Sequence, residues 1–213
     1  MRTADARAEG WRLHGVLGTL IAVQRNGRDL VALTDRNAVL RVHDGARRGD
    51  GWQVYSMPDN VVVKDADDVL PRLVKESQAP VLAAFIADSD YGQLAGLSQL
   101  HGRWEAWLDA DTARLFERDH LVMQGVSKAD ANRQALRMIA GFGLPPAKAA
   151  ERATQWAREA GYLVPVGPVR QILASRRPPG VSALLRLPWK RYVLAEEMFF
   201  ALLDSLGLPL ADD

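Results

Sequence analysis

The residues best placed for chemistry follow the most apolar run of the chain. Pro80 to Ala87 reads as a buried strand, and Asp88-Ser89-Asp90 stands at its carboxyl end. On a strand, residues two apart share a face, with Cα atoms about 7 Å apart. Two carboxylates so placed could hold Mg²⁺ against phosphate oxygens, the arrangement of a metal-dependent phosphoryl-transfer or hydrolytic enzyme. Asp88 and Asp90 are therefore the candidate catalytic and metal-ligating pair. A structural role competes with this one. Asp90-Tyr91-Gly92-Gln93 has the spacing of a helix N-cap with a reciprocal amide, predicting a short helix from Tyr91 to Leu100 and leaving only Asp88 without a task.

His101 lies beside this stretch and is the candidate general base. The other histidines, His14, His43 and His120, are scattered without metal-ligand spacing. With no cysteine in the chain, disulfides, thiolate nucleophiles and cysteine-ligated zinc are excluded. No Walker A, G-x-S-x-G or strand-linked G-x-G-x-x-G occurs. A cofactor is not expected, Mg²⁺ entering only with the carboxylate reading.

Binding chemistry is better represented. If Arg103 to Leu108 is a strand, Trp104, Ala106 and Leu108 face the core, and Trp107 shares the other face with Arg103, Glu105 and Asp109. An aromatic ring on a polar face suits an interaction surface, unless a helix from the C-terminal half covers it. Tyr91, Arg103 and Trp107 are the candidate partner-binding residues there. Arg176 and Arg177 join them from the stretch Arg170 to Arg191, which carries six basic residues and no acidic one. Nucleic acid is disfavoured as the partner because the net charge of the whole chain is only +1.

The elements that position these residues can be read from patterning. Val16 to Gln24, Leu30 to Leu33, Ala38 to Val42, Trp52 to Met57 and Asn60 to Lys64 read as strands, with a helix as the rival over residues 29–40. Asn26-Gly27 suits a type I′ hairpin, and His43 to Gly51 has the composition of a loop tip. A helix opens near Asp65 and turns Val69, Leu70, Leu73 and Val74 inward. Another opens at Asp109, with Leu115 and Phe116 inward.

After Gly125 strand signals give way to helices. Ser127 to Asp130 resembles a capping box for a helix to about Ala140, and Pro145-Pro146 starts the next, lined by Ala149, Ala153, Trp156 and Ala157. The two read as a packing hairpin with the spacing of a helix-turn-helix but few base-reading amides. Val169 to Ala174 is a short helix. Val193 to Leu206 closes the chain as a buried helix with Glu196 and Glu197 outward.

The fold class is α+β, a mostly antiparallel sheet with helices on one face (residues 1–124) followed by a helical C-terminal subdomain packed on it (residues 125–213). With 213 residues, 48% of them hydrophobic, the chain can bury one sizeable core. No apolar run reaches the roughly 20 residues a membrane helix needs, nor does a secretory signal begin the chain, so a cytoplasmic location is expected. Arginine outnumbers lysine heavily, a skew that fits the coding bias of a G+C-rich bacterial genome. Taken together, these features predict a non-enzymatic bacterial protein that binds another protein, as a toxin-neutralising or regulatory partner. The alternative is the Asp88/Asp90 enzyme.

Overall fold

The computed structural model describes residues 18–25, 41–57, 66–175 and 194–211. Expectations for the Asn26-Gly27 turn, for residues 29–40 and for Arg176 and Arg177 lie outside the described residues. Within them the chain is α+β, with six strands and six helices. The strands are β1 (Gly18–Gln24), β2 (Arg41–Arg48), β3 (Trp52–Met57), β4 (Val81–Ala87), β5 (Tyr91–Ser98) and β6 (Gly102–Leu108). They form one sheet in the order β2-β3-β1-β4-β5-β6, each neighbouring pair antiparallel.

Position in the sheet explains the composition of each strand. Val81 to Ala84 in central β4 have no exposure on either face, so a strand pattern without polar alternation is what the site requires. One face presents Leu20, Ala22, Trp52, Val54, Leu82, Ala84, Ile86, Leu94, Trp104, Ala106 and Leu108 to the C-terminal helices. These are α4 (Pro146–Glu159), α5 (Val166–Leu173) and α6 (Ala195–Ser205). Trp156 of α4 is fully buried here, 5.4 Å from the Trp52 ring, and donates its indole N–H to the Val81 carbonyl at 3.0 Å. The opposite face, with Ile21, Val23, Tyr55, Val81, Ala83 and Ala95, takes Leu70, Leu73 and Val74 from α1 (Ala66–Ser77).

Several local expectations are corrected. The sequence from Tyr91 to Ser98 is strand β5, not a helix, and Asp90 caps nothing helical. Asp88 and Ser89 both take positive φ, and the Asp90 N–H donates to the Ala87 carbonyl at 2.9 Å, as a type I′ hairpin turn requires. Most of the expected loop at 43–51 is β2, which keeps its pairing with β3 across a register shift between Val42 and Arg47. Glu196 is buried, not outward, because the Ser89 hydroxyl donates to its carboxylate at 2.5 Å. Finally, α3 (Lys128–Gly141) packs on α2 (Ala110–Met123), whereas α4 packs on α5 and the sheet, so α3 and α4 form no hairpin with each other.

Each outer strand meets a distant segment of the chain. At β2, Gly49 N–H donates to the Pro209 carbonyl and Ala211 N–H to the Arg47 carbonyl, each at 3.1 Å. Buried Arg48 ties this segment down, donating to Asp204 of α6 and, at 2.8 Å, to the Leu208 carbonyl, with its guanidinium 5.0 Å from the Phe200 ring centroid. At β6, Leu144 N–H donates to the Glu105 carbonyl at 2.8 Å, and Arg152 donates to the carbonyls of His101 and Arg103. Backbone groups exposed on an edge strand invite pairing with other chains, and these contacts answer that hazard.

Candidate binding surface

Pairing register decides which side chains of β5 and β6 meet. Gln93 stands opposite Trp107, Ala95 opposite Glu105 and Leu97 opposite Arg103, so Tyr91, Gln93, Arg103, Glu105 and Trp107 share the face away from α4. Trp104, Ala106 and Leu108 point to the core, as alternation along a strand predicts. Trp107 is half-buried rather than open. Its indole N–H donates to the Ile139 carbonyl at the end of α3 at 3.1 Å, and its ring lies 4.7 Å from Phe142. The end of a C-terminal helix therefore does cover Trp107 in part, and Arg103 on the same face bonds the Glu105 carboxylate at 2.9 Å.

Tyr91 extends the aromatic group outward. Its ring centroid is 6.0 Å from Trp107 and 5.7 Å from Phe116 on α2. Asp109 starts α2, accepting from the Thr112 N–H at 3.1 Å and from its hydroxyl at 2.8 Å. On α2 the buried residue is Ala113, which belongs to a small-residue seam with Ala131 and Ala135 of α3. Leu115 and Val122 fall on the helix face away from that seam, and Phe116 and Met123, one heptad apart, lie along its flank. Phe116 is thus 54% exposed, contrary to its expected inward position, and Met123 is 79% exposed. The i, i+7 pair Phe116 and Met123 was the available signal, an apolar stripe wider than the small-residue seam needs.

Electrostatics at this surface keep Tyr91 neutral. Burial raises its phenol above the ordinary value, and the carboxylates of Glu117 and Asp90 push in the same direction. The ring therefore offers an O–H donor throughout the neutral range.

On the other side of β6 an open groove of about 650 Å³ runs between the strand edge and α4. Arg103, Trp104, Glu105, Gly143, Leu144, Lys148, Glu151 and Arg152 line it. Arg103 and Glu105 belong to β6 itself, so the groove and the aromatic surface meet at the same edge strand.

The carboxylate pair is placed differently. Asp88 and Asp90 flank the β4–β5 turn, with Asp88 exposed and Asp90 half-buried. Aspartate tolerates the left-handed backbone that the first turn position demands, a conformational reason for its presence. Ser89 docks the turn on α6, its carbonyl accepting the Ala195 N–H at 3.0 Å. Among the described residues no group of three or more His, Asp or Glu side chains converges as metal ligands would. His101 lies in the β5–β6 turn, where its backbone N–H donates to the Ser98 hydroxyl at 3.1 Å and its carbonyl accepts from Arg152. The structure thus gathers Tyr91 and Trp107 into one cluster, sets Arg103 at its border, and places Asp88 and Asp90 at the β4–β5 turn, with His101 at the other end of β5.

Compared with protein-family models, curated proteins and solved structures, the chain matches none of them.

Proposed function

We propose that the protein acts by binding another protein through the Tyr91–Phe116 surface beside β6. The observation that carries this reading is the exposed ring of Phe116, braced on Tyr91, which packs on Trp107, itself held by Phe142. A rigid aromatic anchor loses little side-chain entropy on binding, the property that makes such residues dominate interface energetics. Exposed Met123 enlarges the apolar contact on the same helix face. The cysteine-free composition suggests a reducing, cytoplasmic setting, and a toxin or a regulated enzyme is the proposed class of partner.

Affinity capture from the native cells, with wild type and Phe116→Ser compared side by side, tests the proposal. The expected result is a stoichiometric partner on the wild type that is lost from the variant, while thermal unfolding shows both to be folded. A partner retained equally by both would overturn it. So would tight Mg²⁺ binding in calorimetry that disappears in Asp88→Asn, because that result belongs to the enzyme reading.

A further inference from the structure

We infer that the groove between the β6 edge and α4 receives a carboxylate-bearing extended segment of the partner protein, an inference that rests on the binding reading above. His101, Arg103 and Glu105 turn their carbonyls away from β5, since those oxygens accept from Arg152 and from Leu144. Backbone N–H and C=O of one residue point to the same side of a strand, so the Glu105 amide also faces outward.

The edge carbonyls at this point are thus already capped, and what the groove offers a ligand is mainly donors. Arg152 keeps the remainder of its guanidinium fork after serving two carbonyls. Lys148 is exposed, lies in the first turn of α4, and shares that turn with no acidic residue. The Glu105 carboxylate is neutralised by Arg103 at 2.7 Å, which leaves Glu151 as the lining carboxylate facing Lys148 and Arg152. Donors and surplus positive charge in one groove complement a carboxylate, and a groove lined by three successive residues of an edge strand, Arg103 to Glu105, suits an extended chain. Gly143 fits the same geometry. Its φ is 72°, and a Cβ there would lie 2.7 Å from the Glu105 carbonyl oxygen, so the connector must stay slim to run along the strand.

The test is a titration of the ¹⁵N-labelled full chain with the capped peptide acetyl-Val-Glu-Val-Glu-Val-Glu-amide and with its Gln-for-Glu and Lys-for-Glu counterparts. Saturable shifts of the Glu105 and Leu144 amides are expected with the acidic peptide alone. Lys148→Glu should weaken its affinity by about tenfold or more, with the spectrum outside the groove unchanged. Absence of saturation, equal affinity for the Gln peptide, or indifference to Lys148→Glu would overturn the inference. The two proposals fail separately. If capture of the partner depends on Phe116 while no acidic peptide binds, the binding reading stands and the groove inference falls. If the peptide saturates the groove while capture ignores Phe116, the Tyr91–Phe116 surface falls and the groove chemistry stands.

Discussion

Gly96 carries no side chain because Trp104 occupies the space where one would be. The two are cross-strand partners, and a Cβ on Gly96 would lie 2.2 Å from the Trp104 indole nitrogen. Glycine weakens a strand in isolation, so Gly92 and Gly96 helped to make Tyr91 to Ser98 look unlike a strand in the sequence. The contact across the sheet supplies the missing reason. Gly96→Ala should destabilise the fold by about 1–3 kcal/mol through overpacking, read as a lower urea midpoint with a changed tryptophan emission spectrum. Unchanged stability would mean that the indole can move aside freely. Tyr91 supports a second prediction at this scale. Its raised phenol pKa means that the folded state holds the proton more tightly than the unfolded chain does. The stability this contributes is complete below the ordinary tyrosine pKa and is lost as pH rises through the raised folded value. Absorbance titration of phenolate should accordingly show, against Tyr91→Phe, that Tyr91 ionises late.

At the scale of the element, helix starts and stops were the most legible features. Ser127 caps α3 and accepts the Asp130 N–H at 3.2 Å, while Pro146 stands at the first turn of α4, both as the sequence indicates. Ser127→Ala should cost about 1 kcal/mol, measured by chemical denaturation. The Ser127 hydroxyl and the Arg133 guanidinium hold the Asp130 carboxyl below the usual carboxylate range. Its contribution to the cap is therefore present above the ordinary aspartate pKa and is lost as pH falls through the lowered one. What escaped the sequence were contacts made at long range. The Asp88-Ser89 turn mimics a helix cap locally, and only its pairing with the strands on either side shows it to be a hairpin. Glu196 sits where helical periodicity would put a solvent-facing residue, yet Ser89, 107 positions away, draws it inward. Phe116 was misplaced for a related reason, since apolar periodicity marks a stripe without saying whether anything covers it.

Across the described residues, the chain turns distant segments back onto both outer strands of its sheet. The alternating pattern of β6, the unbroken apolar run of β4 and the helical C-terminal half were all legible, and together they specify the α+β class. These edge contacts were not, because they depend on single hydrogen bonds between distant segments and on one buried arginine. Arg48 is only 5% exposed and joins β2, α6 and the segment after α6. Arg48→Met removes a charge-assisted bond at that junction and should cost about 2 kcal/mol in thermal or chemical denaturation. The same variant should loosen the 208–211 segment, seen as faster hydrogen exchange at the Gly49 and Ala211 amides. Beside the β6 edge the Tyr91–Phe116 cluster leaves an aromatic ring exposed, and that surface carries the proposed partner contact. The most direct test replaces Phe116 with the photo-crosslinking amino acid p-benzoylphenylalanine in the native cells, with Arg170 on α5 replaced likewise as a control. The account predicts one dominant cross-linked partner from position 116 and none in common from position 170. No cross-link at 116, or the same products from both positions, would contradict it.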